Sequence, residues 1–515
     1  MGGSIRTVGV AATAVLTLVA GCSRGRADQS EGGGPLVVRA PVTRTIRAAP
    51  ALVSAPLPEL PDAATSPAFT RISALINAAI SAEQLPGAVV MIGRGGQVVF
   101  RHAYGARKLA GESGLDGSPA PAEPMTEDTI FDLASLTKVL ATTPVVMQLY
   151  EQGKIRLDDP VQRYLPGFNP TGDPVRAQVT VRMLLTHTSG EAGDVDMRDT
   201  WGLASPDKVE GIRLALSAPL AAAPGTVFRY SDINFLLLGF MAERITGQPL
   251  DTLAEQHVFG PLRMADTRFL PLAKACGPHR DRGAAIVWAQ TPHRRAPAVC
   301  PAGTWSTALL PKIAPTALDE EGRDHPRANP DLDHLLRGTV HDMSTRRMGG
   351  VSGHAGVFST AHDVSLYAQA LLDRLAGRPS RFPLERSTLE LMTTPQQPGH
   401  TAGQVDAANV AARQHMAKKP EAADVLLARH YPAVWGQNLR GLGWDIDTGL
   451  STARGTIFPI GSFGHTGFTG TSVWIDPASD SYVVVLSNSI HTRGSPPMTN
   501  LRGEVATAAA RALGL

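Results

Sequence analysis

Phe131-Asp132-Leu133-Ala134-Ser135-Leu136-Thr137-Lys138-Val139-Leu140-Ala141-Thr142-Thr143 is the stretch on which the reading of this chain turns. From Ser135 onward, Val139, Leu140, Ala141, Pro144, Val145, Val146 and Leu149 run nearly all the way round a helix, so the pattern predicts a helix inside a core. A lysine on such a helix needs a reason, because lysine is rarely buried without a partner. Ser135 and Lys138 stand three residues apart and share one helical face, which lets the amine lie against the hydroxyl. A helix N-terminus also presents unpaired N–H groups and positive potential, favouring an alkoxide and disfavouring a second cation. Both effects push Lys138 towards a neutral amine that can take the serine proton. The plainer reading is an N-cap serine with a solvated lysine in the first turn. Partner motifs further along the chain decide between them.

Two such motifs follow. Phe228-Arg229-Tyr230-Ser231-Asp232-Ile233-Asn234 precedes an apolar helix expected from Phe235 to Ile245 and stopped by Gly247. A tyrosine there can lean into a cleft, and near a cation its phenol can ionise and act as a base. A core aromatic with its hydroxyl satisfied is the alternative. Phe463-Gly464-His465-Thr466-Gly467-Phe468-Thr469-Gly470 then leads into β-branched and aromatic runs, Thr469–Ile475 and Ser481–Leu486, expected as strands. Small residues beside a strand let substrate backbone approach closely. The N–H of Phe468, paired with that of Ser135, could form an oxyanion hole.

In this order, Ser135-x-x-Lys138, Tyr230-x-Asp232 and His465-Thr466-Gly467 resemble the class C β-lactamase and low-molecular-weight penicillin-binding protein family, D-alanyl-D-alanine carboxypeptidases included. Leu184-Leu185-Thr186-His187-Thr188-Ser189-Gly190, the run from Gly353 to Thr360 and Arg440-Gly441-Leu442-Gly443-Trp444-Asp445 resemble it as well. The likeness spans Phe69 to the C-terminus. It implies Ser135 as nucleophile, Lys138 as its proton partner, and Tyr230 as acylation base and donor to the leaving group. Asp232, His465, Thr466 and Gly467 would meet substrate, and the Ser135 and Phe468 amides would hold the oxyanion. The family reaction acylates the serine and passes the acyl group to water, with no metal or organic cofactor. Two departures stand out. Asp232 replaces the usual Asn, exchanging a donor-capable amide for an acceptor that could favour a cationic substrate group. His465 replaces the usual Lys, and histidine is mostly neutral above pH ~6.5, so a substrate carboxylate is held less firmly. Peptidase, amidase or esterase activity is therefore expected over efficient β-lactam hydrolysis. His187 and His354 are read as loop-fixing side chains.

The expected fold class is α/β (α+β), β-lactamase/transpeptidase-like. An antiparallel sheet lobe built from both termini carries an inserted all-α lobe, with the site in the cleft between them. Helical spacing of Ile72, Leu75, Ile76, Ala79 and Ile80 gives a first helix, a hairpin joins Ala88–Ile92 to Gln97–His102, and a final helix covers Leu501–Leu513. Residues 266–350 and 399–438 lack clear periodicity and read as insertions. The insertion histidines, among them His279, His293, His325, His334 and His341, show no zinc-ligand spacing, so no metal site is expected.

The chain has 515 residues, 43% hydrophobic and 18% charged, with net charge +2, a globular balance offering no basic surface for nucleic acid. At the N-terminus, Arg6 precedes an apolar run from Val8 to Ala20 and then Gly21-Cys22, the pattern of a secretory signal. Cysteine after Ala-Gly resembles the bacterial lipoprotein box, with residues 1–22 as signal peptide and Cys22 as the lipidated residue. Residues 23–66, rich in Pro, Ala, Arg, Gly and Ser, read as a disordered tether, and the domain is expected from residue 67 to 515. The remaining two of the three cysteines, Cys276 and Cys300, could pair in an oxidising compartment or stay reduced and buried. Together these features describe a membrane-anchored lipoprotein of the cell envelope or periplasm, acting on a small molecule or a peptidoglycan peptide. The rivals are a β-lactamase-related esterase and a lipoprotein that binds peptidoglycan without turnover.

Overall fold

The computed structural model describes residues 53–289, 299–418, 426, 429–494 and 497–515. The signal segment, Cys22 and most of the expected tether lie outside the described residues.

Strands from both ends of the chain meet in one sheet. The N-terminal hairpin is β1 (Gly87–Arg94) and β2 (Gln97–Lys108), with the short β3 (Glu123–Pro124) beyond it. Far along the chain come β4 (Leu439–Arg440), β5 (Asp445–Asp447), β6 (Phe463–Thr466), β7 (Ser472–Asp476) and β8 (Ser481–Ser487). The eight strands lie in the order β4-β5-β6-β7-β8-β1-β2-β3. The closing pair, β1 with β8, is antiparallel and sets Ala88 opposite Ser487 and Arg94 opposite Ser481.

Alternation along β1 explains its covering on both faces. Ala88, Val90 and Ile92 pack with Ile72, Ile76 and Ala79 of helix α1 (Thr70–Ser81) and with C-terminal Val505, Ala506 and Ala509. Val89 and Met91 face the larger core, which includes the apolar side of a long helix, Ala361–Leu375. Each such aliphatic side chain contributes about 1.5–3 kcal/mol of burial, so truncating Ile76 to Ala costs about 2–5 kcal/mol. The C-terminal helix, Thr499–Ala512, lies where periodicity put it.

Three boundaries differ from expectation. The folded body takes in residues 53–66: Val98 N–H donates to the Pro58 carbonyl at 2.8 Å, Leu60 N–H donates to the Val98 carbonyl at 2.9 Å, and Ala63 is buried. Backbone pairing of this kind needs no apolar periodicity, so composition alone made it look like tether. The strand expected to begin at Thr469 begins at Ser472, because Thr469 and Thr471 are spent on the nucleophile turn described below. The helix expected to open on Ser135 opens one residue later, and residues Lys138–Thr142 form a π turn before helix α2 (Thr143–Glu151). Pro144 has no N–H for the carbonyl four residues back, and the wider turn absorbs that gap. In it, Thr143 N–H donates to the Lys138 carbonyl.

The stretch 266–350 is held by means that leave no periodic trace. Cys276 and Cys300 form a disulfide, resolving the alternative left open by sequence. Arg346 pairs with Asp319 at 2.8 Å and with Glu321, Arg347 pairs with Glu321 at 2.5 Å, and all four side chains are buried. Leu270, Ile286, Trp305, Leu310 and Ile313 of this stretch pack with Ile130 and Phe358 in a small core. In 399–438, the helix Gln404–Lys418 is fastened through Asn409, whose amide donates to the Ile460 carbonyl at 2.7 Å.

Candidate active site

Ser135 sits on a strained turn. Ala134 has φ +46°, a left-handed conformation that costs an L-residue about 1–3 kcal/mol and persists only where surroundings hold it. Here the Ala134 N–H donates to Asp132 Oδ1 at 3.0 Å, and Leu136 N–H donates to the Leu133 carbonyl at 3.1 Å. Asp132 is buried, which pushes its carboxyl up to about 6. The turn leaves Ser135 partly exposed at the mouth of the helix, while Lys138 behind it is fully buried.

Lys138 Nζ donates to Ser135 Oγ at 2.9 Å, to Asp232 Oδ1 at 2.6 Å and to the His354 carbonyl at 3.1 Å. It also lies 5.1 Å and 5.6 Å from the ring centres of Tyr230 and Phe235, within cation–π range. Its protonation runs opposite to the sequence expectation. Burial pulls the ammonium down, but the Asp232 carboxylate and the Tyr230 phenol oxygen outweigh it, and Lys138 is raised above its ordinary value. A helix N-terminus exerts a diffuse field worth about a kcal/mol, whereas a carboxylate in contact within a dry site is worth several times that. Asp232 wins.

Asp232 is therefore engaged through Oδ1 by the protein's own cation, and its side chain stays partly exposed. It is the first residue of helix α3 (Asp232–Thr246), where its N–H donates to the Gly193 carbonyl at 2.7 Å. Tyr230, two residues earlier, stands beside the same lysine, its ring centre 5.1 Å from Nζ. Burial raises the phenol, and Asp232 raises it further against the lowering by Lys138. The resting tyrosine is protonated. His187 fixes this loop: its Nδ1 accepts from Ser231 N–H at 3.2 Å, and its ring stacks on Tyr230 with centres 4.4 Å apart. Burial and the nearby Arg440 and Lys138 charges hold His187 well below its ordinary value.

Behind Lys138 lies a second charged pair that the sequence did not disclose. His354 Nε2 meets Asp342 Oδ1 at 2.8 Å, and His354 Nδ1 meets Ser352 Oγ at 2.9 Å. Burial lowers His354, but Asp342 and Asp232 outweigh it and the imidazole is raised; Asp342 is correspondingly lowered by His354 despite its own desolvation. One ligand atom from each of Asp232, Asp342 and His354 falls within 4.8 Å of the others. The cation that this cluster holds is Lys138 Nζ, placed on Asp232 at 2.6 Å. Asp342 and His341 come from the stretch 266–350, read from the sequence as an insertion. A signal for Asp342 existed in its helix-capping context: its side chain accepts from Thr345 N–H at 2.8 Å.

β6 forms the other wall. Gly467 is required there, since a Cβ at that position would meet Thr471 Oγ1 at 2.1 Å and the Leu133 carbonyl oxygen at 2.4 Å. Thr469 Oγ1 donates to the Asp132 carbonyl at 2.7 Å and Thr471 Oγ1 to the Leu133 carbonyl at 3.0 Å. These contacts set the turn bearing the Phe468 N–H against the turn bearing the Ser135 N–H, the pair expected to hold an oxyanion. Thr466 is partly exposed, opposite Ser472 of β7. The pairing of β5 with β6 covers only Asp445 with Gly464, so the backbone past Gly464 faces the cleft on that side. His465 Nδ1 lies 2.9 Å from the Thr466 carbonyl, an acceptor, so the proton sits on Nδ1. Burial, then Arg440 and Lys138, hold this imidazole well below its ordinary value, in accord with a neutral residue here. Arg440, quoted above only as part of a resembling segment, is a buried guanidinium whose Nη2 donates to the Gly443 carbonyl at 2.8 Å.

A serine and lysine on one helix, a tyrosine loop opposite and a small-residue strand alongside define the β-lactamase/transpeptidase-like fold with a serine–lysine site. The chain belongs to the Beta-lactamase family, whose model matches residues 72–507. A relative from Escherichia coli (strain K12), described as "Putative D-alanyl-D-alanine carboxypeptidase", is 29% identical over 425 residues, 81% of each chain. Among solved structures, the beta-lactamase/D-alanine carboxypeptidase of Pseudomonas syringae is similar with TM-score 0.55 at 15% identity, covering 87% of this chain and 99% of that one. EstCE1, described as a hydrolase with promiscuous acyltransferase activity, is similar with TM-score 0.51 at 23% identity, covering 85% and 98%. Both structural likenesses speak to the fold.

Proposed function

We propose that this protein is an extracytoplasmic, lipid-anchored serine hydrolase that works through an acyl-enzyme on Ser135, with peptides ending in D-amino acids as its substrate class. The observation that carries the reading is the 2.9 Å contact between a partly exposed Ser135 Oγ and a buried Lys138 Nζ that also holds Asp232. The carboxypeptidase description of the Escherichia coli relative and the unpaired backbone of β6 beyond Gly464, along which a peptide can lie, support the substrate class. The Cys276–Cys300 disulfide and the lipoprotein-like N-terminus support the location.

The chemistry follows from the charges. With Lys138 charged and Tyr230 protonated, neither is a base at rest. Substrate expels water, and a drier site favours the neutral amine over the ammonium. Acylation runs through the sites in which Nζ has given its proton up to solvent, a step that the Asp232 carboxylate 2.6 Å away opposes. The neutral amine then takes the Ser135 proton, Oγ attacks the carbonyl carbon, and the Ser135 and Phe468 N–H groups receive the oxyanion. Tyr230 protonates the leaving amine and recovers its proton from Lys138, which leaves the amine neutral again. Water repeats the cycle on the acyl-enzyme.

Ester hydrolysis is the second reading. It is favoured by the neutral His465, which offers no charge to a terminal carboxylate. Intact mass after incubation with penicillin, and separately with a fluorophosphonate, tests both. Adducts on the parent and none on Ser135→Ala are expected. Fluorophosphonate labelling alone would favour the esterase, and no adduct on folded protein would leave a binding lipoprotein.

A further inference from the structure

We infer that Arg440 is a positioning residue of the acyl transfer: its guanidinium is the positive charge that supports the Tyr230 oxygen while that tyrosine gives its proton to the leaving group. This rests on the reading of Ser135 as the acylated residue and of Tyr230 as the proton donor.

Arg440 is fully enclosed, yet of its N–H donors only Nη2 is set on an acceptor, the Gly443 carbonyl at 2.8 Å. Nε and Nη1 have no hydrogen-bond partner among the described residues, and Asp445 Oδ1 stands 3.7 Å from Nη1, beyond hydrogen-bond reach. Arg454, equally buried, is held in contact instead, donating to Asp447 Oδ1 at 2.8 Å and to the Ile446 carbonyl at 2.6 Å. A buried charge without a contact partner costs stability, and such groups gather where a reaction uses them.

The sheet places this charge beside the leaving-group wall. Arg440 ends β4 opposite Asp445 of β5, and Asp445 lies opposite Gly464 of β6, the neighbour of His465. Two strand spacings are about 10 Å. The guanidinium carbon lies 5.8 Å from the ring centre of Phe228, at the start of the Tyr230 motif. Gly443 N–H donates to the Leu185 carbonyl at 2.9 Å, which ties the turn after Arg440 to the segment bearing His187. Tyr230 has both histidine rings as neighbours, with centres 4.4 Å away for His187 and 6.0 Å for His465. Arg440 lowers both imidazoles, and the Tyr230 oxygen in turn raises Arg440 against its burial.

The other cations are already committed. Lys138 is matched by Asp232 at 2.6 Å and His354 by Asp342 at 2.8 Å, while His187 and His465 are neutral. Arg502 donates to the Gly467 carbonyl at 2.6 Å, on the oxyanion side, and burial alone moves it. When the bond to the leaving group breaks, the departing atom takes the Tyr230 proton, and a phenolate remains until Lys138 Nζ supplies another. Asp232 opposes that negative charge. A fixed cation in a dry site offsets it with no reorganisation, and Arg440 stands ready for that task.

The test compares kcat/KM for the p-nitrophenyl and ethyl esters of N-acetyl-D-alanine, in the full chain and in two variants, Arg440→Gln and Arg440→Gln/Asp445→Asn. The double variant leaves no buried carboxylate alone. p-Nitrophenolate departs without a proton, whereas ethoxide needs the one from Tyr230. The ratio of ethyl to p-nitrophenyl turnover should fall by roughly 10- to 100-fold in each variant. Damage to the fold or to acyl binding lowers both esters together, so an unchanged ratio in either variant, however large the common loss, would overturn the role of Arg440. Fluorophosphonate labelling of the parent, absent in Ser135→Ala, keeps this apart from the reading beneath it. No labelling and no turnover of either ester by folded parent would overturn the Ser135 reading, and the role of Arg440 with it.

Discussion

Lys138 and His465 face each other across one cleft, both almost wholly withdrawn from water, and their protonation moves in opposite directions. Lys138 is raised above its ordinary value and His465 is held well below its own. Burial penalises both cations. The difference is company. Lys138 touches the Asp232 carboxylate at 2.6 Å, with the Asp342–His354 pair behind. His465 faces Arg440 and Lys138, two further positive charges, and its Nε2 has no hydrogen-bond partner among the described residues. One wall of the cleft stores a paired charge, and the other is kept neutral. Burial makes the counter-ion decisive and does not by itself set the charge.

The comparison can be broken most severely at Lys138. Lys138→Met leaves Asp232 without its cation and Ser135 without its proton partner, and acylation measured by stopped-flow should fall by about 10⁴-fold or more. On the opposite wall, Gly467→Ala drives a Cβ into the Leu133 carbonyl and moves the Phe468 amide off the oxyanion. A loss of about 10²–10³ in kcat, with KM changed far less, is the expected result. His465→Gln probes the neutral side through stability. A buried imidazole with a depressed pKa binds fewer protons folded than unfolded, so it withdraws stability as pH falls below the unfolded value near 6.5. Removing it should spare about 2 kcal/mol at pH 5 relative to pH 7, read from urea denaturation at the two pH values. Lys138 contributes at the other extreme. Its raised pKa stabilises the fold at all pH values below the ordinary lysine range, and that share is lost only as pH rises through the folded value.

Much of this was legible in advance, and the limits have physical causes. The strands that close the sheet, the first and last helices and the Asp232–Thr246 helix with its Gly247 stop follow from local period and punctuation, which need no knowledge of distant contacts. Ser135, Lys138 and Tyr230 converge because their motifs are short and chemically demanding. The charge state of Lys138 escaped because it is set by Asp232 and by the Asp342–His354 pair, residues brought together only by folding. Asp342 sits in a stretch whose order comes from a disulfide and from buried Arg346 and Arg347 ion pairs, none of which produces a hydrophobic period. Residues 53–66 escaped for the same reason, being held largely through backbone hydrogen bonds.

The most direct test is the pH dependence of Ser135 acylation in the parent and in Asp232→Asn, followed as the burst of p-nitrophenol from an activated ester. In the parent, the rate should rise with pH, because Asp232 keeps the proton on both Lys138 and Tyr230. The variant keeps the shape and removes the charge, so the rising limb should move to lower pH by at least about one unit, the equivalent of 1.36 kcal/mol. A limb that stays in place, or moves to higher pH, would contradict the claim that Asp232 governs the proton on which Ser135 depends.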